Sequence, residues 1–318
     1  MHMKPVKRDE LLALLRSSNI TFKTVDDVFN GFILPNAKDW KKFIQILMLA
    51  LGIGFAATGI VFFFAFNWNA IGKTPKLITT QLLIAIPIGL SFLKRFSETT
   101  QKTLVAGACV MIGVFFAVYG QIYQTGANAY EFFMAWSVFS VLWVITSRFL
   151  PLWALFTGIN FLWLVFYMNQ TAFDVPTDVR YLAYLLLFVL SFVLPRFVFK
   201  TTIKRWYMVA VAFAIASVVT TGISFLLFDT SHEPNFYFLF FALTTYLFGV
   251  RYSLTNRDIT FVSIIALSLV ILMHVALVKL ISQVSIDLII LIAIASPLSI
   301  ILSLVQLNKL KKKWHDEN

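Results

Sequence analysis

Residues 120–133 read GQIYQTGANAYEFF, a polar interval between two strongly apolar runs, and it contains no lysine or arginine. The chain as a whole has 318 residues and a formal net charge of +11. A loop free of basic residues in so basic a chain has a positional meaning. Membrane insertion retains Lys and Arg on the cytoplasmic side, so loops delivered to the other side are depleted in them. On that rule the 120–131 loop faces outward, and the sides of the other loops follow by alternation.

The alternation rests on ten apolar runs: 43–66, 77–93, 103–122, 132–147, 149–168, 180–197, 206–228, 236–250, 259–279 and 287–307. Roughly 20 apolar residues cross a bilayer as a helix. None of the runs holds Asp, Glu, Lys or Arg at its centre, where a charge costs at least ~2.5–3.5 kcal/mol. Ten crossings put 22 of the 26 basic residues on the N-terminal side; Lys73, Lys76, Arg180 and Lys279 are the four opposite. The 228–235 loop is also free of Lys and Arg and faces outward with 120–131. The expected fold class is an all-α polytopic membrane protein of about ten transmembrane helices, with both termini cytoplasmic. Residues 1–42 form a cytoplasmic amphipathic segment, 43–307 the bundle and 308–318 a basic tail.

Composition supports this class. The chain is 59% hydrophobic and only 13% charged, whereas soluble chains are about a quarter charged. The basic side suits anionic lipid headgroups, so the lipid bilayer is the expected partner. With no phosphate loop or aromatic RNA-binding pattern, nucleic acid is not. Cys109 is the single cysteine, which excludes an internal disulfide and a cysteine-based metal site. No cofactor, metal cluster or catalytic set can be assembled. The first apolar run begins near Phe43, too long and too far along to read as a cleavable signal.

Within residues 5–42, Leu11, Leu12, Leu14 and Leu15 recur at helical spacing among charges. Thr24 with Asp27, and Asn36 with Asp39, mark helix starts. Short helices on the membrane surface are expected here, and a protein partner could dock on them.

Small residues at Gly52, Ala56 and Gly59, and again at Gly113, Ala117 and Gly120, share one face of their helices and favour close packing. Pro87 and Pro297 should kink theirs. Polar groups gather at the outer ends of the first, third and fourth runs: Asn67, Trp68, Gln121, Tyr123, Gln124 and Glu131. The two aromatics fit an interfacial belt. Gln121 and Gln124 continue the small-residue stripe and should face the bundle, which makes these six a candidate ligand site. His274 is the one titratable group at depth, expected to hydrogen-bond a neighbouring helix. Three functions follow: small-molecule or lipid-related transport or binding; a membrane scaffold or sensor acting through residues 5–42; and a membrane-embedded transferase using His274 or Glu131.

The segments GFAATGIVFFFAFNWNAIGKTPKL and GVFFAVYGQIYQTGANAYEFFMAWSVFSVLWVITSR resemble a bacterial family of multi-pass membrane proteins of unknown function. The marks are Asn67-Trp68 after the first run and Gly120-Gln121-Ile122-Tyr123-Gln124 after the third. The resemblance covers about residues 8–165. It implies a bacterial inner-membrane location and supplies no activity.

Overall fold

The computed structural model describes residues 37–199, 203–229, 236–281 and 287–316. The expected helices of residues 5–36 and most of the 228–235 loop lie outside them. The described residues form ten helices: α1 (Ala37–Phe66), α2 (Lys73–Ser91), α3 (Glu98–Tyr123), α4 (Ala129–Ser147), α5 (Leu150–Gln170), α6 (Thr177–Phe199), α7 (Arg205–Phe228), α8 (Phe236–Asn256), α9 (Ile259–Ile281) and α10 (Asp287–Asp316). Each coincides with one apolar run, extended by its polar ends.

Seven of them, α3 to α9, are long and apolar enough to cross a membrane. The expectation of ten is met in part. Among the described residues of α1, Gly54–Phe66 is an apolar stretch, and the charges Lys38, Asp39, Lys41 and Lys42 are confined to its first turns. α2 is diluted by Lys73, Lys76, Thr79, Thr80 and Gln81.

The chain divides into two compact units, residues 1–68 with 312–318, and residues 69–311. In the second unit α2 to α6 pack in sequence, each against the next. α6 to α9 gather around α7, which touches the other three. Two apolar cores occupy opposite ends. One joins Cys109, Val144, Leu152, Phe199 and Tyr207; the other joins Tyr184, Leu185, Val219 and Phe238. The first set lies where α4 and α6 finish and α5 and α7 begin, so consecutive helices run up and down.

Side-chain hydrogen bonds tie the helices together. Gly113 is buried against the Trp136 ring, 2.8 Å from where a Cβ would stand. The Trp136 indole donates to the Cys109 carbonyl at 2.7 Å, which fixes the ring over the glycine. Gly222 accommodates Phe238 and Tyr181 in the same way. The expected stripe on α3 is otherwise broken, since Ala117 is exposed and Gly120 half-buried. Within its own unit, a Cβ at Gly52 or Gly59 of α1 would meet nothing within 4 Å.

Pro87 and Pro297 lie inside α2 and α10, which continue through them. A third, fully buried proline, Pro195, matters more. It has no N–H to give the carbonyl four residues back, which is that of Ser191. That carbonyl instead accepts from the Trp153 indole of α5 at 3.2 Å and the Tyr207 hydroxyl of α7 at 3.0 Å. The Ser191 hydroxyl bonds those of Thr157 at 2.8 Å and Tyr207 at 2.5 Å. Freed backbone groups in a membrane helix must find such partners. A second cluster, Thr220, Ser268 and Tyr246, links α7, α9 and α8 with both hydroxyl contacts at 2.5 Å.

The α8–α9 turn is set by Asp258, whose carboxylate accepts the Thr260 N–H at 3.1 Å, an N-cap for α9. Arg205 of α7 donates to the same oxygen at 3.1 Å. Burial alone would raise this carboxyl, but the Thr260 bonds and the Arg205 charge together hold it below the ordinary carboxylate value.

Candidate functional site

The six residues of the expected ligand site are divided between the units. In the first, the Asn67 side chain donates to the Phe63 carbonyl one turn back at 3.0 Å, closing α1. Trp68 follows it, half-buried. The remaining four belong to the second unit. Gln121 is exposed, and the buried face at this end of α3 is carried by Val118 and Ile122. The expectation that Gln121 faces the bundle is corrected here: neighbouring helix positions differ by about 100°, so burial of Ile122 rotates Gln121 outward. Tyr123 is exposed and its ring lies 4.7 Å from that of Tyr119. Gln124 ends α3 in the left-handed conformation, φ 46°, and is exposed.

Glu131 has a local role that its sequence spacing could have shown. Its carboxylate accepts the Asn128 N–H at 2.8 Å, part of a capping box that starts α4. The Tyr130 hydroxyl donates to its other oxygen at 3.3 Å. Gln170, which sequence reasoning passed over, accepts the Tyr130 N–H at 3.3 Å and fastens this loop to the end of α5. The polar pair Asn169-Gln170 closing the fifth run was the available signal.

Among the described residues His274 bonds no neighbouring helix, where one was expected. Its Nδ1 lies 2.6 Å from the Val270 carbonyl of its own helix. Among the described residues its buried Nε2 has no hydrogen-bond partner.

The structure also contains a cavity that the sequence did not announce. It has a volume of about 410 Å³ and lies among α6, α7, α8 and α9. Its wall includes Leu185, Val189, Ala212, Phe241 and Ile265. Thr244 and Thr245 also line it, but their hydroxyls donate at 2.7 Å to Phe240 and Phe241 carbonyls. The wall is therefore apolar in effect. Arg196 is the one charged lining residue. Its guanidinium rests 4.4 Å over the Phe192 ring and has no ion pair among the described residues. Tyr246, from the Thr220–Ser268 cluster, lines the wall nearer mid-helix.

A second cavity, about 440 Å³, lies between α5, α6 and α7 toward the opposite end. It contains Arg180, but that guanidinium is already committed. It donates to the carbonyls of Val175 at 2.8 Å, Ala172 at 3.1 Å and Phe173 at 2.8 Å. Arg180 thus holds the α5–α6 connection, whereas Arg196 is available.

Residues 34–153 match the family model described as Predicted membrane protein (DUF2157). The DUF2157 match lies inside the 8–165 range of the sequence resemblance and is narrower at both ends. It contains Asn67-Trp68, Gly120–Gln124 and Glu131. His274 and the α6–α9 cavity fall beyond it. No curated protein and no solved structure matches the chain.

Proposed function

We propose that this chain is a multi-pass protein of the bacterial inner membrane, with both termini cytoplasmic, that binds an apolar or amphiphilic molecule drawn from the bilayer. The observation that carries the reading is the apolar cavity among α6, α7, α8 and α9, about 410 Å³. That volume falls in the ~300–1,000 Å³ range of small-molecule sites, which are mostly apolar with few placed polar groups. Binding is favoured over catalysis because, among the described residues, the cavity wall carries one arginine and no paired acid and base. The transferase alternative needs a polar partner beside His274 or Glu131. Glu131 is engaged in a helix cap, and His274 hydrogen-bonds only its own helix among the described residues.

The test is lipid retention. Protein extracted in a mild neutral detergent should carry co-purifying lipid, quantified by mass spectrometry of the extract. Ala212→Phe and, separately, Val189→Phe fill the cavity and should each deplete that lipid while the protein stays folded. Equal lipid content in the parent and both variants would sink the reading.

A second reading keeps the outer ends as a mouth for a polar small molecule. It is favoured by the exposed Tyr119–Tyr123 ring pair beside exposed Gln121. A tilted pair of exposed aromatic rings with an amide on the same helix end suits a planar polar ligand.

A further inference from the structure

We infer that the occupant of the α6–α9 cavity is one acyl chain of an anionic phospholipid from the cytoplasmic leaflet, its headgroup phosphate held by Arg196. This rests on the binding reading of the same cavity.

The length of the site selects a chain and a leaflet. On α6 the lining residues run from Leu185 to Arg196. At 1.5 Å per residue that is about 16 Å, close to half of a ~30 Å hydrocarbon core. Lining residues on the other three helices lean to this end: Met208–Ala216 in the first half of α7, Phe241–Tyr252 from the middle toward the end of α8 and Phe261–Ile265 where α9 begins. The cavity therefore starts near one membrane face and reaches about a turn past the middle of α6 and α8, a depth one leaflet's chain can fill.

The charge at the open end selects the headgroup. Arg196 presents a planar guanidinium suited to bidentate phosphate contact. Around it the same end of the bundle carries Lys204, Arg251 and Arg257. Asp258 is the acid there, and it is paired with Arg205 at 3.1 Å. Two features fix the polarity of the ligand. The deep wall is apolar, with the Thr244 and Thr245 hydroxyls satisfied by their own helix. The mouth holds a cation with no carboxylate partner among the described residues. An amphiphile with an anionic head at Arg196 and an aliphatic tail toward Tyr246 complements both.

The experiment uses the full chain, delipidated in neutral detergent, with thermal unfolding followed as phosphatidylglycerol or phosphatidylcholine of identical acyl chains is added. The parent should reach half-maximal stabilisation at about fivefold lower phosphatidylglycerol than phosphatidylcholine, the factor for ~1 kcal/mol per basic residue near anionic lipid. Arg196→Gln should erase that preference and keep the response common to both lipids. Arg196→Lys and Arg251→Gln should retain it. A preference that survives Arg196→Gln, or that Arg251→Gln removes equally, would overturn the inference and reduce it to general attraction by a basic surface. Palmitate as effective as phosphatidylglycerol would make the occupant a free carboxylate amphiphile and also overturn it. Ala212→Phe should abolish the response to both lipids. If it abolishes neither, the cavity reading itself fails, whatever Arg196 does.

Discussion

Gln124, Arg148 and Arg257 all hold positive φ, 46°, 47° and 50°, at the C-terminal ends of α3, α4 and α8. A side chain in the left-handed region crowds the following carbonyl and costs roughly 1–2 kcal/mol, a cost glycine does not bear. Arg148 and Phe149 are the whole break between α4 and α5, so the apolar runs 132–147 and 149–168, parted by one residue in sequence, are distinct helices. At Gln124 the same strain tests the role of the outer cluster. Gln124→Gly should raise the midpoint of thermal unfolding, with a gain of ~1 kcal/mol, because the exposed side chain contributes no hydrogen bond among the described residues. A lowered midpoint would mean that the amide makes a contact outweighing the strain. Gln121 shows why such roles were hard to read from spacing. The Gly113–Ala117–Gly120 pattern fixes a face only if those residues are the ones buried. Here Val114, Val118 and Ile122, one step along the helix, take the burial with Gly113.

Helix existence was legible throughout, since each run of apolar residues long enough to span became one helix bounded by polar turns. What holds the helices to each other was less so. Trp136 over Gly113 could be anticipated in kind but not in partner. Pro195 was visible, yet its meaning depends on Trp153 and Tyr207, side chains brought to it from 42 and 12 residues away by packing. Removing the Tyr207 hydroxyl should therefore destabilise the α5–α6–α7 junction without undoing it. Intramembrane hydrogen bonds average ~0.6 kcal/mol and reach ~1.7. Tyr207→Phe should cost toward the upper end, because it removes contacts to both the carbonyl and the hydroxyl of Ser191. In a Pro195→Ala background the restored N–H can bond the Ser191 carbonyl, so the same Tyr207→Phe change should cost less. A double-mutant cycle on thermal or denaturant unfolding measures that difference. Equal costs in the two backgrounds would show that the proline does not create the need for the tyrosine.

At the scale of the whole molecule the open quantity is the number of crossings, because among the described residues seven helices, α3 to α9, are long and apolar enough to cross, and the order of the charges turns on α1 and α2. Charge parity constrains them jointly. With ten crossings, 22 of the 26 basic residues share the side of the N-terminus. If α2 alone failed to cross, every later loop would invert, leaving 10 on that side and 16 opposite. Failure of α1 alone would leave 12 and 14, no asymmetry at all. If neither crossed, 24 would share the N-terminal side, so the positive-inside rule permits both or neither and excludes one. Length favours both. α2 has 19 residues, about 28 Å at 1.5 Å each, and α1 has 30, against a hydrocarbon core of ~30 Å. The segment between their apolar runs carries two basic residues, Lys73 and Lys76, against eight in residues 1–42. A topology reporter inserted after Ala70 should therefore report the outside, while fusions after Thr100 and Lys312 report the cytoplasm and one after Gly126 reports the outside. A cytoplasmic signal at Ala70 with the other three unchanged would place α1 and α2 on the inner face. The loop from Asn67 to Gly72 would then be cytoplasmic, whereas the α6–α9 cavity would keep its orientation, because an even number of crossings would have been removed before it.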